Sequence, residues 1–521
     1  MLFASCLAYS RHAKCYRGNA SMGFFRQLLR VWAFVLLSCS LFGQSADLVQ
    51  KSHHVKKLMA EGKFEEAIPI CRELVRLVPN DPGLIMNLAL ALDMAGNKQE
   101  AVREYQAALK LEPDYYPALL LLGTAYLDLG QPAKAIDPLE KSLKAQPDSF
   151  DAKQTLAEAL LGVGRLGEAA HRFEELSPSH PNSAKTWYGL GLCYEGLAQR
   201  SFDELAKIAP DSAYWLDLVA ESRLDTKQNY SAFYFYRQAL AKTPSMRGVR
   251  SAIAEVYRDT GHPDWALAEE EKERRLPPPD CNVQRLECEF RAGNFTRVIE
   301  VTADATSPEA YYWRTRAYNR LAMDSYFRLG QLPPSMETHE LRANIESKRR
   351  QYAEAAKEWR EALRLSPGNR YVQKQLAMAL YYVGDLPRAQ AQFQELLKWE
   401  PNVPDLNYFL GETVLRAQKP RDAIPYLERA IKADPGMLPA HKSLGLAYLE
   451  TRQAEKAIPH LREALPIDQD GSVRYQLARA YQARGEANLA EAMFKEYQEK
   501  QSAQQAENKA TEKEVAITPP D

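Results

Sequence analysis

Along most of the chain, apolar residues recur at three- and four-residue spacing in blocks of about a dozen. The stretch from Tyr115 shows the rule: YYPALLLLGTAYLDLGQPAKAIDPLEKSLKAQPDS. Apolar positions keep helical spacing up to Leu129, and Gly130 then supplies a left-handed stop. A second run carries Ala135, Leu139 and Leu143 and ends at Pro147, which cannot continue a helix. The pattern predicts a helical hairpin. These blocks are in register. A small residue returns at Ala67, Ala101, Ala135 and Ala169, each 34 residues after the last. The same spacing joins Ala232 to Ala266, and joins Ala355, Ala389, Ala423 and Ala457; Ala490 follows at 33. Pro stands twelve residues after many of them, at Pro79, Pro113, Pro147, Pro181, Pro244, Pro367, Pro401 and Pro435. Gly stands five before several of them, at Gly62, Gly96, Gly130, Gly164, Gly261, Gly384 and Gly485. The alanine is small because two helices approach closely there. One such hairpin cannot bury its own apolar face, so stacked hairpins must supply the core.

Within this register, Leu122-Gly123 and Tyr126 lie on a first helix, with Ala135 and Pro147 on the second. The set recurs as Leu190-Gly191 with Tyr194, as Leu410-Gly411, and as Leu444-Gly445 with Tyr448. These residues resemble the tetratricopeptide repeat family over about 48–498. The resemblance implies an all-α, right-handed superhelical α-solenoid of helix-turn-helix units, about 14 in number, three of them degenerate. The recurring alanines, with Gly123, Gly191, Gly411, Gly445, Pro113, Pro147, Pro401 and Pro435, are its structural positions.

The period breaks twice. From Ala169 to Ala232 the gap is 63 residues, five short of two repeats. The first-helix pattern Trp187, Gly191, Tyr194 runs straight into a second-helix pattern Ala198, Phe202, Leu205, Pro210, with no turn glycine between them. This predicts one fused helix within 184–210. A copy stands 124 residues on: Tyr318, Leu321, Ala322, Ser325, Tyr326, Leu329 and Pro334 match Tyr194, Leu197, Ala198, Ser201, Phe202, Leu205 and Pro210. A duplication and a recurring architectural element both fit. Between them, Pro277-Pro278-Pro279-Asp280 is a rigid break, and a shortened unit follows with Gly293, Phe295 and Val298. The chain therefore divides into an N-terminal array, 46–275, an irregular middle, 276–335, and a C-terminal array, 336–498. The middle predicts a kink or a boundary between arrays; plain decay of the repeat is the alternative. Residues 499–521 are polar, end in Pro-Pro-Asp, and are expected to be disordered.

The N-terminus carries different information. Val31–Phe42 (VWAFVLLSCSLF) is apolar and follows Arg26 and Arg30, yet it is shorter than the ~20 residues that span a bilayer. Counted from Met22, the layout is that of a secretory signal peptide over 22–45, with Gly43 and Ser45 before the cleavage point and Ala46 first in the mature chain. An uncleaved signal anchor, a lipoprotein signal at Cys39 and a plain cytosolic start are the alternatives. Residues 1–21 read as an upstream extension from a misplaced start codon. The expected location is periplasmic or otherwise exported, or anchored to an inner membrane by the same segment. Of seven cysteines, Cys6, Cys15 and Cys39 lie in this leader. Cys71, Cys193, Cys281 and Cys288 show no CxxC spacing and are read as small buried apolar residues.

Composition removes whole classes of function. With 67 basic and 68 acidic residues, net charge −1, there is no electrostatic reason to expect nucleic acid as a partner. No HExxH, GxxxxGK[ST], GxSxG or GxGxxG occurs. His53 and His54 are adjacent and point to different helix faces, while His171, His180, His262, His339, His441 and His460 are scattered over separate units. The repeats leave no ~200-residue stretch for a catalytic domain. The chain is read as non-enzymatic, with no catalytic residue, metal or cofactor.

The family resemblance implies a peptide-binding groove lined by first helices. In the N-terminal array the register places Met86, Asn87, Leu90, Met94, Leu120, Leu121, Thr124 and Leu127 there, an apolar wall with one amide. In the C-terminal array it places Tyr371, Lys374, Gln375, Met378, Tyr381, Tyr382, Tyr408, Phe409, Glu412, Lys442, Tyr475 and Arg479. Rings offer contact area at low entropy cost and cations fix carboxylates, which suits an extended peptide. Packing between repeats is the competing role for the rings. Some family members clamp a terminal carboxylate with Lys/Asn/Asn/Lys/Arg; Lys374, Lys442 and Arg479 lack the asparagines, so that clamp is rejected. The expected function is a scaffold holding a protein or peptide partner. A structural component of a cell-envelope complex, using convex or edge surfaces, is the alternative.

Overall fold

The computed structural model describes residues 46–520. The expectations for 1–21 and for the signal segment 22–45 lie outside the described residues. Among the described residues there is helix and no strand. The described residues divide into two compact units, 46–204 with 281–335, and 205–280 with 336–520. Both are discontinuous, whereas the sequence pattern suggested three consecutive stretches.

The first unit opens with four hairpins: α1 (Ala46–Ala60) with α2 (Phe64–Leu77), α3 (Pro82–Met94) with α4 (Lys98–Leu111), α5 (Tyr116–Asp128) with α6 (Pro132–Ala145), and α7 (Phe150–Gly162) with α8 (Leu166–Leu176). The unbroken helix α9 (Ala184–Ile208) follows and runs past the unit boundary. The second unit continues with α10 (Ala213–Asp225), α11 (Asn229–Lys242), α12 (Val249–Asp259) and α13 (Pro263–Arg274). The chain then supplies the first unit with a short hairpin, α14 (Arg285–Arg291) and α15 (Phe295–Thr302), and a second unbroken helix, α16 (Pro308–Gly330). The rest belongs to the second unit. It comprises α17 (Met336–Lys348), α18 (Tyr352–Leu365), α19 (Arg370–Val383), α20 (Leu386–Trp399), α21 (Pro404–Arg416), α22 (Pro420–Ala433), α23 (Leu438–Glu450), α24 (Ala454–Glu463), α25 (Ser472–Arg484) and α26 (Ala487–Glu514). Twelve hairpins and two unbroken helices make fourteen units among the described residues.

Local chemistry explains the hairpin. Several first helices and the unbroken helix α16 start on side-chain caps: the Asp81 carboxylate accepts from the Gly83 and Leu84 amides at 2.8 and 3.1 Å, and Ser149, Ser212, Ser307 and Asn369 cap in the same way. Several second helices end on a residue that leaves helical geometry directly before proline: Glu112, Gln146, Glu400 and Asp434 precede Pro113, Pro147, Pro401 and Pro435. Every hairpin turn contains one residue with positive φ. Eight of the twelve use glycine, such as Gly130 at +67°. The other four put Lys227, Arg350, Gln418 and Arg452 there at +59 to +62°. The repeat alanines are 0–1% exposed, apart from Ala490 at 5%, so nothing larger fits at the helix crossing. A Cβ built on Gly123, Gly411 or Gly445 would lie 2.5–2.7 Å from the leucine sixteen residues later, Leu139, Leu427 or Leu461. That pair is the tightest point inside a hairpin.

The unbroken helices solve a packing problem by exchange. The first half of α9 has first-helix character but no second helix folds back on it. A Cβ on Gly191 would meet Tyr326 of α16 at 2.2 Å. Tyr326 stands four residues after Ala322, as Leu139, Leu427 and Leu461 stand four after Ala135, Ala423 and Ala457. The second half of α16 thus takes the place of the helix that α9 lacks. The matching positions Tyr194 and Tyr318 face each other, ring centroids 6.1 Å apart, and Tyr188 lies 6.4 Å from Tyr326. The Tyr326 hydroxyl donates to Glu195 at 2.7 Å. Pairing early residues of one helix with late residues of the other makes the two antiparallel. Ser201 and Ser325, also matched, each donate to the carbonyl four residues back, at 3.1 and 2.8 Å.

Two further features differ from the sequence expectation. Cys281 and Cys288 are joined as a disulfide ahead of and within α14, while Cys71 and Cys193 are free and buried as expected. Residues 499–514, expected to be disordered, continue α26 to Glu514. Their Ala, Gln, Glu and Lys content has high helix propensity, and the helix is already nucleated by its packing on α25.

Candidate functional site

The twelve candidate groove residues lie on α19, α21, α23 and α25, the first helices of four successive hairpins. They separate by burial into three groups. Tyr371, Tyr382 and Tyr475 are 50, 47 and 39% exposed, and Arg479 is exposed one turn after Tyr475. Tyr381 is only 9% exposed, and Phe409 is half-buried between Tyr381 and Phe393, at 5.8 and 5.9 Å. Lys374, Gln375, Met378, Tyr408, Glu412 and Lys442 are half-buried.

The exposed rings are held from below. Tyr382 stacks on Tyr352 at 4.7 Å, and Tyr475 meets Phe494 and Tyr497 at 5.9 and 5.4 Å. Trp359 meets Tyr371 edge-on at 6.1 Å. Burial of its hydroxyl end, with Glu340 beside it, pushes the Tyr371 phenol up to about 12. A ring fixed in this way loses little rotamer freedom on contact with a ligand.

The half-buried polar residues bridge successive helices. Lys374 pairs with Asp405 at 3.6 Å across α19 and α21. Ser443 donates to the Glu412 carboxylate, linking α21 to α23. Lys442 donates to the Ser472 hydroxyl at 2.8 Å, linking α23 to α25. Burial first, then the Glu412 charge, pushes the Tyr408 phenol up. Tyr381 serves packing: the Arg416 guanidinium lies 4.6 Å above its ring and donates to its carbonyl at 3.3 Å. Arg416, Asp405, Ser443 and Ser472 were missed by the sequence reading. The signal was available for two of them, since Asp405 and Arg416 stand 34 residues after Tyr371 and Tyr382.

The N-terminal candidates behave differently. Met86, Leu90, Leu120 and Leu121 are 1–7% exposed members of the core, and Asn87, Met94, Thr124 and Leu127 are half-buried. They form packed interior rather than an open apolar wall. Among the described residues, no three His, Cys, Asp or Glu side chains converge as metal ligands. No helix among them is long and apolar enough to cross a membrane. One open cleft lies beside the turns at Lys419, Arg421, Asp422, Glu450 and Arg452, charged and unenclosed. The arrangement offers rings, cations and hydrogen-bonding groups spaced along a stack of helices; it can hold a chain in place.

Comparison with known proteins places the repeat. A family model described as tetratricopeptide repeat matches residues 86–150, 374–437 and 411–472, and a second model of the same description matches 126–191. No curated protein matches the chain. Among solved structures, MamA from residue 41 onward, from Desulfovibrio magneticus RS-1, is 25% identical, with a TM-score of 0.31; the match covers 32% of this chain and 96% of that one. A thermophilic TPR protein of Thermus thermophilus is 18% identical, with a TM-score of 0.28, covering 35% of this chain and all of that one.

Proposed function

Because the chain belongs to the tetratricopeptide-repeat family, we propose that it is a non-enzymatic scaffold that binds an extended peptide segment of a protein partner along α19–α25. The observation that carries this reading is the exposed rings Tyr371 and Tyr382 on α19 and Tyr475 on α25, each packed on an aromatic side chain of a second helix, with Arg479 exposed one turn after Tyr475. Rigid rings give area without ordering cost, and the flanking Lys374, Lys442 and Arg479 favour an acidic or carboxylate-bearing segment. The proposed location is outside the cytoplasm, by the signal peptide over 22–45 or by the same segment as an anchor. The Cys281–Cys288 disulfide supports that location, since such bonds persist in oxidising compartments.

A photo-cross-linking residue at Tyr382 or Tyr475 tests the groove. Discrete adducts are expected at both positions, and none at Arg388 on the second helix α20. Tyr371→Ala with Tyr382→Ala lowers the Tyr475 adduct about tenfold, the order expected for aromatic anchors. A second reading, a structural part of an envelope complex, is favoured by Met323 and Phe327, which lie 58 and 67% exposed one turn apart on α16. Adducts at Met323 and Phe327 but not at Tyr382 would replace the first reading with the second. Mass spectrometry of the mature N-terminus tests export: a chain beginning before Met22 in the cytosol overturns it.

A further inference from the structure

The repeat register exposes one place where a recurring side-chain bond is replaced by a long-range one. In three repeats a first-helix tyrosine reaches the residue twenty positions earlier, on the preceding second helix. Tyr126 accepts from Gln106 at 2.8 Å, Tyr194 donates to Glu174 at 2.6 Å, and Tyr448 donates to Glu428. Each partner stands five residues after its repeat alanine, Ala101, Ala169 or Ala423.

Tyr257 of α12 holds the same place, and the residue twenty before it, five after Ala232, is Arg237 of α11. A guanidinium has only donors and cannot accept the phenol proton. The Tyr257 hydroxyl donates instead to the backbone carbonyl of Thr518, at 2.7 Å, and Arg237 Nη1 donates to the Thr518 side-chain oxygen, at 2.5 Å. Two side chains that elsewhere would bond each other thus grip both oxygens of one residue 261 and 281 positions away. The grip is preset. Tyr257 is 2% exposed and packs on Phe233 and Trp265 at 5.4 and 5.6 Å, and Arg237 lies over Phe233 at 5.8 Å.

The occupant suits the site. Beyond Glu514 the chain leaves α26 and runs without regular structure through Val-Ala-Ile-Thr-Pro-Pro. Thr518 precedes proline and is therefore held extended, and Pro519-Pro520 keeps the following backbone stiff, so little entropy remains to be lost on docking. Val515, Ile517, Thr518 and Pro520 are half-buried, while Ala516 and Pro519 are exposed.

We propose that Tyr257 and Arg237 form a peptide-recognition site for an extended threonine-proline segment, and that its resident ligand is the chain's own residues 515–520, bound in cis. The site lies on α11–α12, apart from the α19–α25 row.

The test compares the full chain with a chain ending at Glu514, titrated with a labelled synthetic peptide EVAITPPD and followed by fluorescence anisotropy. The shortened chain is expected to bind saturably. The full chain should bind at least about tenfold more weakly, because a tethered segment competes at millimolar effective concentration. Full-length Thr518→Ala keeps the carbonyl that Tyr257 bonds but loses the Arg237 contact, so it is expected to bind the peptide more tightly than the full chain and more weakly than the shortened one. In the shortened chain, Tyr257→Phe and Arg237→Ala each weaken binding about tenfold with unchanged helical circular dichroism, the loss expected for one buried or charged hydrogen bond. No binding to the shortened chain, equal binding to both chains, or indifference to both substitutions overturns the proposal. A concentration-dependent dimer of the full chain that dissolves on shortening makes the occupant a second copy and overturns the cis assignment.

Discussion

The exchange between α9 and α16 can be tested by a sign reversal. Alanine at Gly191 would put a Cβ 2.2 Å from Tyr326 Cε1 and 2.7 Å from its Cδ1 and Cζ. The ring cannot swing away freely, because its hydroxyl is bonded to Glu195 and its edge lies against Tyr188. Overpacking of this kind costs about 1–3 kcal/mol. Replacing a mid-helix glycine by alanine returns about 1 kcal/mol of helix propensity, which leaves Gly191→Ala destabilising by up to about 2 kcal/mol. Tyr326→Ala removes a half-buried ring and a hydrogen bond to a carboxylate, a loss of about 2–3 kcal/mol. In that background the clash is gone and only the propensity gain remains, so Gly191→Ala should become stabilising by about 1 kcal/mol. Repeat arrays do not unfold as one unit, so the readout is native-state hydrogen exchange of peptides from 184–204 and 310–330. Both segments should open more readily in Gly191→Ala although only α9 is altered. Additive effects, or a change confined to 184–204, would refute the exchange.

Three other outcomes follow from single observations. Serine at Cys281 and Cys288 should destabilise the α14–α15 hairpin by about 2 kcal/mol, the loop-entropy value for a short closed loop; hydrogen exchange over 285–302 reads it, and no change would deny the disulfide a structural role. Gln418→Gly should raise stability by about 1 kcal/mol, since Gln418 holds φ +61° in a turn where eight other hairpins use glycine; a lowered melting temperature would contradict it. Acid should loosen the α23–α24 hairpin. Burial first, then His441 at 3.0 Å, holds His460 below the ordinary imidazole value, against the opposite pull of Glu428 and Glu463. A depressed folded value means the unfolded chain binds the proton more readily. The stability is therefore full above about pH 6.5 and lost as pH falls through the folded value. Exchange over 438–463 at pH 7.5 and 5 should show it, and His460→Gln should flatten the difference.

Much of the fold was legible because the repeat states its own geometry. Ala135 and Gly123 announce a close helix approach, Pro147 an end, and the 34-residue spacing a stack. Other features were hidden for physical reasons. The turns at Lys227, Arg350, Gln418 and Arg452 carry no glycine, because the hairpin forces positive φ on whatever residue stands there. The core role of Met86 and Leu90 was hidden because register assigns a face, and only the surrounding packing decides whether that face meets solvent. In the C-terminal row the same ambiguity split neighbours: Tyr382 stacks outward on Tyr352, while Tyr381, one residue earlier, is capped by Arg416. Adjacent helical residues point about 100° apart, and twelve candidates chosen by period could not separate ring from ring.

The departures from register turn out to be the informative positions, and one argument covers both. A first helix needs a second helix against its glycine, and a first-helix tyrosine needs a polar partner for its hydroxyl. When the local chain withholds either, the need does not vanish, because an unfilled crossing or an unpaired buried hydroxyl costs more than a long loop does. At Gly191 the missing mate is Tyr326, in the same place after its alanine that Leu139 occupies in an intact hairpin. At Tyr257 the missing acceptor is Thr518. The first substitution was half-visible in sequence, as the 124-residue match between two unbroken helices, each of which has two half-hairpins seeking partners. Four halves with complementary needs can pair only crosswise if neither helix bends. The second was visible as Arg237, twenty residues before Tyr257, where the repeats of Tyr126, Tyr194 and Tyr448 place Gln or Glu. Reading a repeat protein for function therefore means asking, at each lapse of the register, which distant residue has taken the vacant role.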